Sequence, residues 1–165
     1  MPLKKEVEDK GYTQLKQDLK TGQLCTVYVF HGEETYLREY YLDQLRKKLI
    51  PAGFEEFNYH KLEGKALSVQ ALSDIVEALP MMCEKTLVTV TDFDLFKLNE
   101  EQRGQLIALL SDFPDYCCLV FVYDILEYKP DKKMKRLYTA LTSTAQIVEF
   151  KTQGQSDLIN WVTRR

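Results

Sequence analysis

The sequence predicts an α/β protein with a five-stranded, mostly parallel sheet that carries helices on both faces. Five short apolar runs alternate along the chain with longer stretches in which apolar residues recur every three or four positions. Strands that alternate with helices in this way form parallel sheets covered on both sides. The chain has 165 residues, of which 45% are hydrophobic, which is enough for one well-packed domain and short for two.

The first three elements are a helix, a strand and a second helix. The first helix is predicted at residues 12–19, because Gly22 behind it is a natural C-terminal stop. The apolar run at residues 26–30 predicts strand one. The next helix is predicted at residues 37–49 and ends before Pro51. Its apolar positions recur every four residues, at Leu37, Tyr41, Leu45 and Leu49.

The middle of the chain repeats this alternation. Residues 54–62 are predicted as strand two. Ser68 can cap the following helix, which stops at Pro80. Residues 85–91 are predicted as strand three. One face of the helix between these strands is apolar, at Val69, Leu72, Val76 and Leu79.

Two more strands complete the predicted sheet. Asn99 and Gln102 resemble a capping box, so a helix is predicted behind Asn99. Residues 117–123 are predicted as strand four, residues 132–142 as a helix and residues 145–150 as strand five.

The last segment departs from this rhythm. Ser156 is a candidate cap for a helix that includes Leu158 and Trp161 and continues to Arg165. We therefore expect residues 1–154 to form one domain. Residues 155–165 are expected to begin a helix that leads to a second domain.

The turn after strand one has the layout of a phosphate-binding loop without its chemistry. A loop of the form GxxxxGK[ST] that starts at Gly32 requires Gly, Lys and Ser or Thr at positions 37 to 39, where the chain has Leu37, Arg38 and Glu39. Leu37 carries a side chain where the backbone must approach phosphate, and Glu39 lacks the hydroxyl that holds magnesium. A plain tight turn explains Gly32 equally well. Under both interpretations we expect no ATP hydrolysis. We also expect Arg38 and Glu39 to lie on the surface, so that each can be replaced by Ala without loss of partner binding.

Composition excludes several function classes. The formal net charge of −3 argues against a protein that coats duplex DNA through bulk charge. No apolar stretch approaches the roughly 20 residues that span a bilayer, so a cytoplasmic protein without a membrane partner is expected. His31 and His60 have no supporting spacing and the cysteines form no CxxC pair, so we predict no metal site, catalytic residue or cofactor. Cys117 and Cys118, being neighbours in a strand, should point to opposite faces.

Two other groups of residues resemble functional sites. Asp92 ends the apolar run of strand three, as a magnesium-binding Asp does in ATPases, and without a phosphate loop we interpret it as a strand-end cap. A basic cluster within residues 129–136 contains a single acid, Asp131, and could contact phosphate or an acidic partner. A solvated helix face is the plainer interpretation. The basic residues are Lys129, Lys132, Lys133, Lys135 and Arg136.

Four segments together resemble one family: VYVFHGEETYL at residues 27–37, IVEALPMMCEKTLVTV at 75–90, KPDKKMKRL at 129–137 and LINWV at 158–162. In their order and spacing the chain is similar to the N-terminal domain of the delta subunit of the bacterial DNA polymerase III clamp loader. The resemblance implies an AAA+ (P-loop NTPase-like) fold with a degenerate nucleotide site. It also implies a domain that is not itself an enzyme, within a complex that is a DNA-directed polymerase and thus a nucleotidyltransferase.

The same resemblance implies partners in DNA replication. In the family this subunit binds the ring-shaped sliding clamp (the beta subunit) and holds one of its interfaces open, while further domains contact other loader subunits and the full complex contacts DNA. The family's clamp-binding element, an apolar pair after a helix-ending Pro, falls on Met81 and Met82, behind Leu79 and Pro80. From the residues alone, packing at the end of the core is the plainer explanation of the pair. The alternative functions are a nucleotide-binding enzyme of the P-loop type and a nucleic-acid-binding module.

Overall fold

The computed structural model describes residues 10–151 of this protein. The strands are β1 (Val27–His31), β2 (Tyr59–Glu63), β3 (Thr86–Thr91), β4 (Cys117–Val122) and β5 (Ala145–Glu149). The helices are α1 (Lys10–Thr21), α2 (Thr35–Leu49), α3 (Glu55–Asn58), α4 (Val69–Glu77), α5 (Glu100–Ser111) and α6 (Lys135–Thr144). Two short 3₁₀ turns lie at Gly64–Ala66 and Leu95–Lys97.

The five strands form one sheet in the order β2-β3-β4-β1-β5. Every strand pair in it is parallel, so the predicted α/β class with a five-stranded parallel sheet is confirmed. β1 lies between β4 and β5, with Val27 opposite Leu119 on one side and Ala145 on the other. Because all strands run the same way, the loops that follow them meet at the carboxyl edge and the loops that precede them meet at the amino edge.

Each face of the sheet packs against its own layer of helices. Val27 and Val29 of β1 join an apolar cluster that includes buried residues of α4, α5 and α6, whereas Tyr28 and Phe30 join a second cluster with residues of α1 and α2. This alternation follows from the pleat of a strand. Cys117 and Cys118 belong to opposite clusters, as the sequence predicted.

The segment at residues 54–62 differs from its prediction. Its first half is the single helical turn α3, and the strand begins only at Tyr59. Polar contacts cause the turn: the Glu55 carboxylate accepts a hydrogen bond from the Gly53 amide at 2.9 Å, and the Asn58 side chain donates to the Phe54 carbonyl at 2.9 Å. Such side-chain contacts to the backbone compete with sheet hydrogen bonds.

The predicted helix caps are present. The Ser68 hydroxyl accepts from the Ala71 amide at 3.1 Å, and the Asn99 side chain accepts from the Gln102 amide at 2.8 Å. The capping box is incomplete, because the Gln102 side chain instead accepts from the Val69 amide at 3.1 Å and so links α5 to α4.

The helix predicted at residues 132–142 starts later, at Lys135, and ends at Thr144. Asp131 delays it, since its carboxylate accepts from the Lys133 amide at 3.0 Å and forms a local turn. None of the helices within residues 10–151 is long and apolar enough to cross a membrane. Leu158, Trp161 and the predicted boundary at residue 155 lie outside the described residues.

Candidate functional site

The loop between β1 and α2 lies at the carboxyl edge of the sheet and is pressed against the end of β5. Gly32 has φ +118°, and a Cβ at this position would stand 2.4 Å from the Phe150 carbonyl oxygen. A glycine is therefore required. The Glu34 amide donates to the same Phe150 carbonyl at 2.9 Å, so this loop amide is already bonded within the fold.

Arg38 occupies the position of a phosphate-loop lysine but turns inward. Its side chain is only 1% exposed. The guanidinium donates to the carbonyl oxygens of Gly32 at 3.2 Å and Tyr123 at 3.3 Å, and it forms an ion pair with Asp124 at 2.5 Å. Arg38 thus bridges the ends of β1 and β4.

This placement corrects one expectation. The sequence predicts that Arg38 and Glu39 both lie on the surface and that each can be replaced by Ala without loss of partner binding. Glu39 is exposed, but Arg38 is a buried structural residue, because its guanidinium bonds the two strand ends. Leu37 is also buried, within the apolar cluster beneath α2.

Asp92 serves as a cap, as the sequence analysis interpreted it. It has φ +58° at the end of β3. Its Oδ1 accepts hydrogen bonds from the amides of Asp124, Ile125 and Leu126 at 2.9, 3.1 and 3.0 Å. Asp92 and Arg38 together fix the loop at residues 124–126 over the carboxyl edge.

The cleft beside this loop is acidic. It has a volume of about 500 Å³. Burial lowers the pKa of His31 below its usual value despite the opposing effect of Glu149, so His31 is neutral at pH 7. A phosphate placed here would meet more negative than positive charge. The carboxylates that line the cleft are those of Glu33, Asp124, Glu127 and Glu149, against the one ammonium of Lys151.

The loop at residues 78–85, between α4 and β3, lies at the opposite, amino edge and is hereafter the docking loop. Leu79, Met81 and Met82 are exposed by 74, 55 and 83%. Neither methionine is buried, so packing at the end of the core does not explain the pair. Pro80, between Leu79 and Met81 in the sequence, is half-buried.

Three contacts hold the docking loop. At its start the Tyr116 hydroxyl donates to the Glu77 carbonyl. In its middle the Asn58 side chain bonds both backbone polar groups of Met81. At its end the Lys85 ammonium donates to the Asp115 carbonyl at 2.6 Å. Sequence analysis missed Asn58 and Tyr116, and the one available signal was a lone Asn inside a predicted strand.

The basic cluster lies near the carboxyl edge, at the start of α6, and all five of its side chains are exposed. Lys129 pairs with Glu127 at 3.4 Å. The ring of Tyr128 is packed against His31 and Tyr123, at 4.8 and 5.3 Å between centroids. The Tyr128 ring is therefore engaged within the fold and does not project from the cluster as a platform for bases.

The described residues offer no clustered metal ligands, and two of their thiols are poor nucleophiles. These residues contain no group of three or more His, Cys, Asp or Glu side chains arranged to hold a metal ion. Burial raises the pKa of Cys117 to about 11, and it also raises the pKa of Cys25. Both thiols are consequently protonated at neutral pH and poor nucleophiles.

Comparisons with known proteins identify the fold. The sequence model of the family described as DNA polymerase III, delta subunit, matches residues 28–151. DNA polymerase III subunit delta of Bacillus subtilis is 28% identical over 141 residues, which are 82% of this chain and 40% of that protein. The solved structure of the Bacillus subtilis DNA clamp loader delta protein has a TM-score of 0.71 at 21% identity, covering 92% of this chain and 46% of that one.

A gamma subunit-related DNA polymerase III protein from Thermotoga maritima shares the fold more distantly. Its TM-score is 0.55 at 12% identity, over 92% of this chain and 50% of that one. The chain spans less than half the length of each of the Bacillus subtilis proteins described above. The expected AAA+ (P-loop NTPase-like) fold is confirmed by the likeness to the clamp loader delta protein.

Proposed function

Given that the chain belongs to the DNA polymerase III delta subunit family, we propose that it is a non-catalytic clamp-loader domain that binds the sliding clamp and helps to open it for loading onto primed DNA. One observation carries the proposal: the exposed pair Met81 and Met82, on a turn whose backbone is held by buried contacts. Exposed apolar side chains on an ordered turn favour a protein partner. Methionine is flexible enough to fill an irregular apolar pocket.

The magnitudes make the pair an anchor within a larger interface. Burying two methionine side chains contributes at most about 3–6 kcal/mol, and Met81, already partly covered, gives the smaller share. Association costs something like 4–15 kcal/mol in lost freedom. Leu79 and the rest of the docking loop must therefore contribute surface to the contact.

The family membership also supports a proposal for the remaining partners. We propose that other loader subunits bind through segments beyond this chain and that DNA is contacted by the full complex. The basic cluster supports a nucleic-acid role less well than the docking loop supports a clamp role. Its aromatic neighbours already make contacts within the fold, Tyr128 with His31 and Tyr123 and Tyr138 with the Lys132 ammonium, and the whole chain is acidic.

The proposed lack of catalysis rests on the β1–α2 loop. The guanidinium of Arg38 is already bonded to the carbonyls of Gly32 and Tyr123 and to the Asp124 carboxylate. The adjoining cleft is lined by carboxylates. We expect isothermal calorimetry with ATP or GTP and magnesium to give no saturable binding up to millimolar nucleotide. A micromolar dissociation constant, about −8.2 kcal/mol, would contradict the degenerate-site proposal.

The clamp proposal is tested by titrating the purified chain into the cognate sliding clamp in a calorimeter. We expect saturable binding with a negative heat-capacity change, since apolar surface is buried in the contact. Bovine serum albumin in place of the clamp is the control for nonspecific adhesion of the methionines. Equal heats for the clamp and for albumin would refute the proposed function.

A further inference from the structure

Asn58 is a fully buried polar residue at the end of α3, next to the amino edge of the sheet. Its side-chain Nδ2 donates to the carbonyl oxygens of Phe54 and Met81, both at 2.9 Å. Its Oδ1 accepts from the Met81 amide at 2.7 Å. A side-chain amide carries both a donor and an acceptor, and here the two meet the carbonyl and the amide of a single residue.

The contact lies directly before a backbone conformation that needs support. Met82 has φ +63°, in the left-handed region that residues other than glycine seldom adopt. Such conformations persist where surrounding contacts determine them. Asn58 fixes the residue before Met82, while the Cys83 thiol bonds the Lys85 carbonyl at 3.2 Å behind it.

The residue that holds the loop is a different one from the residues that the loop exposes to solvent. Asn58 is completely buried, whereas Met81 and Met82 extend into solvent. A buried amide with its bonds satisfied specifies one backbone arrangement, because losing either partner would leave a polar group unpaired.

We propose that Asn58 is a positioning residue, which holds the Met81–Met82 turn in the conformation that contacts the sliding clamp. The proposal rests on the proposed function. A turn that is already in its binding conformation loses less entropy on association, and a turn that samples other conformations binds with an affinity reduced by the fraction that is competent.

The test is Asn58→Ala. We expect its dissociation constant for the purified clamp to rise about tenfold, and amide hydrogen exchange at Met81 and Met82 in the free chain to become faster. The control is Leu141→Ala, a cavity variant of the fully buried Leu141 on α6, the helix that packs beside β5, which is the outer strand farthest from β2. It should lower thermal stability while leaving the clamp affinity and the exchange of the docking loop unchanged.

A double-mutant cycle with Met82→Ala separates positioning from general stability. If Asn58 acts by presenting Met82, its removal should cost less affinity in the Met82→Ala background than in the wild type. Strictly additive losses, or an unchanged affinity for Asn58→Ala, would overturn the proposal while leaving the clamp function intact.

If the proposed clamp binding itself is wrong, the result differs: the wild-type chain would not bind the clamp, and both proposals would be rejected. Should Asn58→Ala not fold, the wild-type chain still provides a test. The Met81 amide is bonded to Asn58, so its exchange must be strongly protected, and rapid exchange there would also overturn the proposal.

Discussion

Replacing Met81 and Met82 together by Ala is expected to weaken binding to the sliding clamp by about a hundredfold or more. The variant forfeits most of the roughly 3–6 kcal/mol available from burying the two side chains, and each 1.4 kcal/mol is a tenfold change in affinity. The side chains are exposed by 55 and 83% in the free chain, so thermal stability should change little. Calorimetric titration with the clamp and a thermal melt measure the two quantities.

The matched control is Ile125→Ala with Leu126→Ala. These residues form another exposed apolar pair, at 87 and 37%, on the loop at the carboxyl edge of the sheet. Their replacement removes a similar apolar area from the opposite edge, and the clamp affinity should remain unchanged. Equal losses from both pairs would indicate nonspecific apolar adhesion, and a collapse of stability in the methionine variant would assign the pair to packing.

Arg38→Ala is expected to lower the free energy of unfolding by about 2–4 kcal/mol. The change leaves a cavity at a side chain that is 1% exposed, and it deprives the carbonyl oxygens of Gly32 and Tyr123 of a donor. The loss stays below that of a fully buried ion pair, because Asp124 is 46% exposed and remains solvated. Urea denaturation monitored by circular dichroism measures the difference.

Glu39→Ala is the control, since it alters the next residue on the exposed side of α2. Changes at such positions stay within about 0.5 kcal/mol. If Arg38→Ala were as stable as Glu39→Ala, the inward guanidinium would contribute nothing to the fold. Reduced clamp binding by folded Glu39→Ala would instead place part of the interface at the carboxyl edge.

The elements of the sheet were predictable because their signals are local. An apolar run such as residues 117–123 and caps such as Ser68 and Asn99 depend on neighbours within a few positions. The prediction failed at residues 54–62, where α3 replaces half of the strand. The cause there is a set of side-chain contacts to the backbone that no periodicity reveals.

The parts of the sites that depend on distant residues could not be predicted. The sequence predicted a surface position for Arg38, because nothing near it in the sequence reveals its ion-pair partner Asp124, which is 86 positions away. Asn58 finds the Met81 backbone 23 positions away. Asp92 was interpreted correctly, since strands of a parallel sheet end at one edge and a carboxylate at such an end faces the amides of the neighbouring loop. Its three amide partners became visible only in the structure.

The most direct test of clamp binding through the docking loop is a methyl NMR titration. The chain contains four methionines, and isotope labelling of their methyl groups gives one signal for each, assigned by single substitutions. On addition of unlabelled clamp, the signals of Met81 and Met82 should shift or broaden while that of Met134, which lies beside the basic cluster at the start of α6, should stay in place. A shift of Met134 with Met81 and Met82 unmoved would contradict the account and assign the contact to the basic cluster instead.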